Sequence, residues 1–168
     1  AHALGAFYKG KRVGSIADMT MFSFHPVKSI TTGEGGVIVT NNKNWYEKMV
    51  MFRNHGITKK PELLQKKNEG KWYYEMQELG LNYRITDIQA ALGLSQLKKL
   101  PKFIEARRKI AKQYFEAFKN IKEIILPKEL SYGRSAWHLF PIRLVDAKKR
   151  AFVFKKLQEA GIGAQVHY

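Results

Sequence analysis

The strongest constraint on the fold is a segment that cannot form regular structure, residues 28–36, because it combines three glycines with serine and threonine residues. The residues before it, 18–25, alternate along a predicted strand that ends at Pro26. The residues after it, 37–40, form a short apolar run that is typical of a buried strand. The sequence therefore predicts a strand, a glycine-rich loop and a second strand.

Hydrophobic spacing assigns most of the other elements. Glycines among β-forming residues predict a hairpin over residues 4–16, and a helical period begins at Asn44. Residues 56–80 are polar, rich in lysine and interrupted by proline and glycine, so we expect a long loop there. Beyond residue 120 the pattern predicts a short apolar segment over 124–127, a strand over 136–145, a helix over 148–160 and a terminal strand over 161–168.

Two helices are predicted between these parts. Thr86 is the expected N-cap of the first, which ends at Leu100, and Pro101 suits the first turn of the second, which ends near Asn120. A β-rich first half followed by helix, strand, helix and strand predicts a small α+β domain joined to part of a larger α/β domain. The residues expected to point inward are Ile88, Ala91, Leu92, Ser95 and Leu97 in the first helix, and Phe103, Ile104, Ile110, Ala111, Tyr114, Phe115 and Phe118 in the second.

Composition narrows the class of protein. The 168 residues suit one domain or parts of two, and a hydrophobic content of 45% excludes a disordered chain. The absence of cysteine excludes a disulfide scaffold, a cysteine zinc site and a thiol nucleophile. A net charge of +16 fits either nucleic-acid binding or a solvated basic surface. The basic residues are spread along the chain, which favours the solvated surface.

Lys28 is the clearest candidate for a chemically reactive residue. A lysine that leaves a strand into a glycine-rich loop can reach a bound aldehyde, provided that its amine is desolvated or lies among other cations. Ser23 lies two strand positions before His25 on the same face and can offer its hydroxyl to a phosphate. The loop glycines let backbone N–H groups approach an anion closely. The alternative for Lys28 is a solvated loop lysine.

Short motifs occur in order along the whole chain. They are AHALGA at residues 1–6, FSFHPVK at 22–28, GEGG at 33–36, FRNHG at 52–56, LNYR at 81–84, DIQAALGL at 87–94 and GIGAQVHY at 161–168. In type and order these motifs resemble the DegT/StrS-type nucleotide-sugar aminotransferases, which depend on pyridoxal 5'-phosphate. The resemblance covers essentially the whole chain.

The resemblance implies the α/β fold of a fold-type I pyridoxal-phosphate aminotransferase. Residues 1–98 would be the C-terminal half of the large, cofactor-binding domain, and residues 99–168 an incomplete small C-terminal α+β domain. In the family, the aspartate that keeps the pyridine nitrogen protonated lies just before the Ala-His-Ala stretch, and would therefore precede Ala1. We therefore expect the 168-residue chain to be a fragment that is inactive by itself.

The resemblance also implies roles for residues around the cofactor. Lys28 would be the catalytic residue, binding pyridoxal phosphate covalently and moving a proton between the amino-acid carbon and the cofactor carbon. Ser23 would bind the cofactor phosphate, and His2 would lie beside the pyridine ring. Asn82 would reach the phosphate of the cofactor in the neighbouring subunit. Without the resemblance, His2 is equally a hydrogen-bonded core histidine and Asn82 a turn residue.

Three further residues are weaker candidates, for binding the substrate. Arg84 could hold a carboxylate or phosphate with its guanidinium fork or, equally, form a structural ion pair. His25 and His167 could line the sugar pocket. The five histidines lack metal-ligand spacing, so no metal is expected.

The implied reaction takes an amine from glutamate and delivers it to the C4 ketone of a UDP-linked 4-keto-6-deoxy-N-acetylhexosamine, as in pseudaminic acid-type biosynthesis. The enzyme would be a cytoplasmic homodimer with a shared active site, with neither nucleic acid nor membrane as a partner. One alternative is an aminotransferase for another nucleotide keto-sugar, aminated at C3 or dTDP-linked. The other is a non-enzymatic basic nucleic-acid-binding module. Lys28 argues against the family's sugar dehydratases, in which histidine replaces this lysine.

Overall fold

The computed structural model describes residues 1–67 and 69–167. The strands are β1 (Phe7–Tyr8), β2 (Lys11–Arg12), β3 (Thr20–Ser23), β4 (Gly36–Val39), β5 (Ile57–Thr58), β6 (Glu75–Met76), β7 (Ile124–Ile125), β8 (Gly133–Arg134) and β9 (Arg143–Leu144). The α-helices are α1 (Lys43–Phe52), α2 (Asp87–Phe118) and α3 (Arg150–Glu159). Single 3-10 turns cover Pro61–Leu63 and Ala147–Lys149.

The predicted strand, loop and strand are confirmed. β3 pairs antiparallel with β4, and the pair closest to the loop is Ser23 with Gly36. Strand β3 is shorter than the predicted segment 18–25 because regular pairing ends at Ser23, where the chain turns into the loop. The loop that carries Lys28 is therefore fixed at both ends by one strand pair.

The N-terminal hairpin is also confirmed, and it reaches a distant part of the chain. β1 pairs with β2 on one side and with β8 on the other, in the order β2–β1–β8. The register places Phe7 opposite Arg134. Residues near the start of the chain are thereby held beside the segment that follows residue 134.

The prediction of one long loop over residues 56–80 is wrong in part. β5 and β6 form a short antiparallel pair within it, with Ile57 opposite Met76. The Glu75 carboxylate accepts hydrogen bonds from the backbone N–H groups of Gln65 and Lys66, at 2.7 and 2.8 Å, and from the Tyr73 hydroxyl at 2.9 Å. These bonds organise a segment whose polar composition suggested a loop.

The prediction of two helices separated at Pro101 is wrong, because α2 is continuous over 32 residues with Pro101 inside it. Leu100 and Ile104, on either side of the proline, pack against Gly5. Proline removes one backbone donor from a helix interior and disfavours the preceding helical turn. We attribute the continuity of α2 to this packing, which the local sequence does not reveal.

The expected inward face of the first half of α2 is exposed in the described chain. Ile88 has a relative accessibility of 84%, and Leu92 and Leu97 have 40% and 48%. Ala91 and Ser95 are exposed as well. The helical period correctly groups these residues on a stripe, but nothing within the described residues covers it. In the second half the prediction holds for Phe103, Ile104, Ala111, Phe115 and Phe118, and fails for the exposed Ile110 and Tyr114.

The C-terminal elements match the predictions less closely. α3 lies within the predicted helix over 148–160, and β7 within 124–127. Of the predicted strand 136–145 only Arg143–Leu144 is a strand, because the chain turns sharply at Trp137, where φ is +46°. Residues 161–167 form no strand, and Tyr168 lies outside the described residues. The buried apolar residues are Phe22, Ile30, Leu100, Ala111 and Ala136.

Candidate active site

The centre of the site is a contact between a lysine and a histidine that are distant in sequence. Lys28 Nζ lies 2.9 Å from His2 Nε2, and both residues are half-buried. Burial, followed by the charge of Lys28, lowers the pKa of His2, so its ring is neutral at pH 7. An ammonium group can only donate, so a protonated Lys28 donates to Nε2 and the neutral ring carries its proton on Nδ1. His2 is therefore a hydrogen-bond acceptor for Lys28.

Internal hydrogen bonds fix the loop that carries Lys28. The Phe24 N–H donates to the Gly35 carbonyl at 2.8 Å, and the Thr32 N–H donates to the Phe24 carbonyl at 3.0 Å. A side chain at Gly35, where φ is +150°, would collide with Thr32 Oγ1, so glycine is required there. The buried residues of the loop are Ser29, Ile30 and Thr32.

The N-terminus of α2 holds the same loop from outside. Thr86 is the N-cap, as predicted, and forms a capping box with Gln89: the Gln89 N–H donates to Thr86 Oγ1, and the Thr86 N–H donates to Gln89 Oε1. Gln89 Nε2 also donates to the Glu34 carbonyl at 3.0 Å. One side chain thus caps the helix and ties it to the Lys28 loop.

A histidine that the sequence analysis did not single out lies against His2. The His138 and His2 ring centroids are 4.5 Å apart, tilted by 42°. His138 Nδ1 is buried and has no hydrogen-bond partner among residues 1–67 and 69–167. Burial, followed by the nearby His2, lowers the pKa of His138 to about 4. A lone histidine in an apolar segment carries no local signal of this placement.

Hydrogen bonds from α2 hold His138 in place. Arg107 donates to the carbonyl oxygens of Trp137 and His138, at 3.5 and 3.2 Å. Trp137 has the left-handed φ of +46°, a strained conformation for a bulky residue. Its ring packs edge-to-face on Phe115, with centroids 5.4 Å apart. These contacts from the helix fix the turn that directs His138 toward His2.

A partly buried ion pair supports the start of this turn. Arg108 donates to both oxygens of Glu129, at 2.7 and 3.1 Å, and to the Ser135 carbonyl at 2.8 Å. Glu129 accepts a further bond from the Ser135 N–H at 2.6 Å. The bidentate guanidinium lowers the pKa of Glu129, so the pair stays charged at neutral pH.

Ser23 and His25 lie at the entrance to the loop. The His25 N–H is 3.4 Å from Ser23 Oγ, which accepts there and keeps its own O–H available to donate. His25 Nε2 lies 3.7 Å from Glu34 Oε1, and both side chains are largely exposed. His25 therefore faces Glu34 at the surface of the loop.

Asn82 and Arg84 belong to a second group of residues. Asn82 forms an isolated backbone bridge with Asn54, and the Arg84 guanidinium donates to Asn54 Oδ1 at 2.8 Å. The partner of Arg84 is therefore an amide rather than the carboxylate of an ion pair. The described hydrogen bonds and ion pairs connect neither residue to Lys28 or His2. His167, by contrast, belongs with Lys28 and His2, which we call the Lys28 group: its ring centroid lies 6.1 Å from that of His2.

Comparison with solved structures gives the class of protein. The chain superposes on Helicobacter pylori PseC, an aminotransferase involved in the biosynthesis of pseudoaminic acid, with a TM-score of 0.87 and 40% identity over 100% of this chain and 43% of that one. It superposes equally well on the PLP form of Spr1654 from Streptococcus pneumoniae, with a TM-score of 0.88 and 34% identity over 100% of this chain and 42% of that one. The predicted fold class, an α/β fold-type I pyridoxal-phosphate aminotransferase, is confirmed.

The family follows from the sequence. Residues 1–168 match the DegT/DnrJ/EryC1/StrS aminotransferase family, and the chain belongs to it. A similar curated relative is the UDP-4-amino-4,6-dideoxy-N-acetyl-beta-L-altrosamine transaminase of Campylobacter jejuni, 45% identical over 100% of this chain and 43% of the relative. The chain thus spans less than half the length of the relatives that it matches.

Two further observations concern ligands and membranes. In the part of the chain that the structure describes, no group of three or more metal-ligating side chains could hold a metal ion. Among the same residues, none of the helices is both long and apolar enough to cross a bilayer.

Proposed function

We propose that the protein is a pyridoxal-phosphate-dependent aminotransferase that delivers an amine from glutamate to the C4 ketone of a UDP-linked 4-keto-6-deoxy-N-acetylhexosamine. The observation that carries this proposal is the contact of Lys28 Nζ with His2 Nε2 at the end of a fixed strand–loop–strand unit. Family membership supports the reaction class. The 45% identity to a UDP-sugar transaminase supports the substrate.

The residues present fit pyridoxal phosphate. Its aldehyde needs a primary amine on a fixed support, and Lys28 supplies one beside a neutral histidine. Its phosphate needs hydroxyl and backbone donors, which Ser23 and the glycine-rich loop can supply. His2 presents a flat ring next to Lys28, suited to lie beside the pyridine. When bound, the cofactor supplies an electron sink for the amino-acid carbon.

The chain's own residues then have separate tasks. Lys28 Nζ would hold the cofactor covalently and would move a proton between the amino-acid carbon and the cofactor carbon. His2 Nε2 accepts a hydrogen bond from Lys28 and thereby orients the amine. Ser23 Oγ would donate to the cofactor phosphate. Asn82, which forms a backbone bridge with Asn54, would bind the phosphate of the neighbouring subunit's cofactor.

The substrate contacts are proposed for Arg84, His25 and His167. Arg84 is exposed, and its bond to Asn54 leaves other guanidinium N–H groups for a carboxylate or phosphate. His167 lies in the Lys28 group, and His25 at the surface of its loop. We further propose a cytoplasmic homodimer whose active sites are shared. The boundary between the large and the small domain of the chain is proposed at residue 98, within α2.

The test uses the complete protein with added pyridoxal phosphate. Wild type should gain a visible absorbance band, and borohydride reduction followed by peptide mass spectrometry should label Lys28. Lys28→Ala should lose both the band and amine transfer, whereas Lys9→Ala, at an exposed lysine, should keep both. Labelling elsewhere, with Lys28 unmodified, would contradict the proposal.

The substrate is tested separately. Transfer from glutamate should be at least tenfold faster to the UDP-linked 4-keto sugar than to a dTDP-linked or 3-keto sugar. Faster transfer to one of those sugars would retain the reaction class and reject the proposed substrate.

A further inference from the structure

Three observations converge on His138. Its ring lies 4.5 Å from that of His2, centroid to centroid, and His2 in turn contacts Lys28 at 2.9 Å. Its Nδ1 is buried without a partner among the described residues. The turn that carries it contains the left-handed Trp137. A strained turn and an unsatisfied buried nitrogen both cost free energy. Features of this kind cluster at functional sites.

We propose that His138 is a positioning residue for Lys28: its ring packs on His2 and holds His2 Nε2 against Lys28 Nζ. The proposal deepens the proposed function, on which its catalytic meaning rests. His138 does not itself reach Lys28 by a hydrogen bond, so it acts through His2. Removing the His138 ring would uncover one side of His2 and leave that ring free to rotate away.

The groups around His138 keep its ring uncharged where it packs on His2. The charged and titratable groups that face it are His2, Arg107, Lys28 and His167. All of them are cationic or can become so, and each disfavours a proton on His138. A neutral His138 adds no positive charge beside Lys28, which needs an unprotonated amine to react. An apolar aromatic ring that packs on His2 in the same place should therefore serve the same purpose.

Arg107 holds the turn that carries the His138 ring. From α2 it donates to the carbonyl oxygens of Trp137 and His138, at 3.5 and 3.2 Å. Loss of these bonds would let the left-handed Trp137 relax and would withdraw His138 from His2. Arg107→Met should therefore reproduce the loss of the His138 ring in weaker form.

The experiment follows His2 in the complete protein by nitrogen-15 NMR, with its signals assigned through His2→Gln. In His138→Ala the titration midpoint of His2 should shift up toward 6.5, because the ring that buries it is gone. His138→Phe should keep the wild-type midpoint, since it preserves the packing. Phe140→Leu, a change in a ring that packs on Trp137, should leave it unchanged. Circular dichroism excludes the variants that fail to fold.

A second measurement follows the chemical reactivity of the Lys28 amine in the protein without the cofactor. Acetic anhydride should modify Lys28 at least threefold faster in His138→Ala than in wild type or His138→Phe, as measured by mass spectrometry. If both readouts in His138→Ala equal those of wild type, the proposal is overturned. If they change as expected but no pyridoxal phosphate binds, His138 positions Lys28 and it is the proposed function that fails.

Discussion

Gly5 lies directly against Ile104, so that a Cβ at position 5 would collide with Ile104 Cδ1. This contact packs the N-terminal segment onto α2 beside Pro101. We expect Gly5→Ala to destabilise the protein by about 1–3 kcal/mol, as overpacking of a tight contact does. Urea denaturation would measure the loss.

The chain offers a matched control for this prediction. Gly10 has a similar left-handed φ, +74° against +83°, but no heavy atom lies within 4 Å of a Cβ built there. Gly10→Ala therefore carries the same backbone strain without the collision. An equal loss of stability in the two variants would show that packing on Ile104 contributes nothing.

Glu129→Gln should destabilise the protein at pH 7 by about 1–3 kcal/mol, since it removes a charge-assisted pair with Arg108. The pKa of Glu129 is lowered in the folded state, so its contribution is present above 4.5 and is lost as the pH falls through the folded value. The difference between wild type and variant, measured by urea denaturation, should therefore narrow below pH 4.5. A difference that stays constant from pH 7 to pH 3 would contradict the ion pair.

His138 predicts a loss of stability in the same direction, as the pH falls, but over a higher pH range than Glu129. Its pKa falls from 6.5 to about 4 on folding, so between these values the unfolded chain binds more protons. The stability of wild type should fall as the pH falls from 6.5 to 4. His138→Phe should show a shallower fall, because this group no longer titrates, whereas Phe140→Leu should keep the wild-type slope. Equal slopes in wild type and His138→Phe would refute the prediction.

Thr86→Ala should cost about 1 kcal/mol, the usual value for losing a helix N-cap. Thr86→Ser keeps the hydroxyl that accepts from the Gln89 N–H and should retain most of the stability. Thermal unfolding of the three proteins would measure this. Equal melting temperatures for the Ala and Ser variants would show that the hydroxyl has no role.

Local signals predicted the parts of the fold that depend on local chemistry. Residues 28–36 are rich in glycine, serine and threonine, which favour a loop, so the strand–loop–strand unit around Lys28 followed directly from the sequence, although Gly36 is already the first residue of β4. Thr86 was predictable as a cap because a capping side chain acts within its own turn. The motifs that place Lys28, His2 and His167 in one site were recognisable only by family resemblance, since no local pattern brings residues 2, 28 and 167 together.

Long-range contacts decided the remainder. Pro101 locally favours the start of a helix, but α2 runs through it without a break, which we attribute to the packing of Leu100 and Ile104 on Gly5. The predicted strand over 136–145 failed because Arg107, thirty residues away, binds the carbonyls of a turn at Trp137. His138 was missed for the same reason.

The unbroken α2 has a mechanical consequence. At 1.5 Å per residue, a helix of this size is a rod of about 48 Å. Gln89, near one end, is hydrogen-bonded to the Lys28 loop, and Arg107, five turns further along, is hydrogen-bonded to the turn that bears His138. Any tilt of this helix must displace both attached segments together. The Lys28 loop and the turn that bears His138 therefore cannot be repositioned independently of each other.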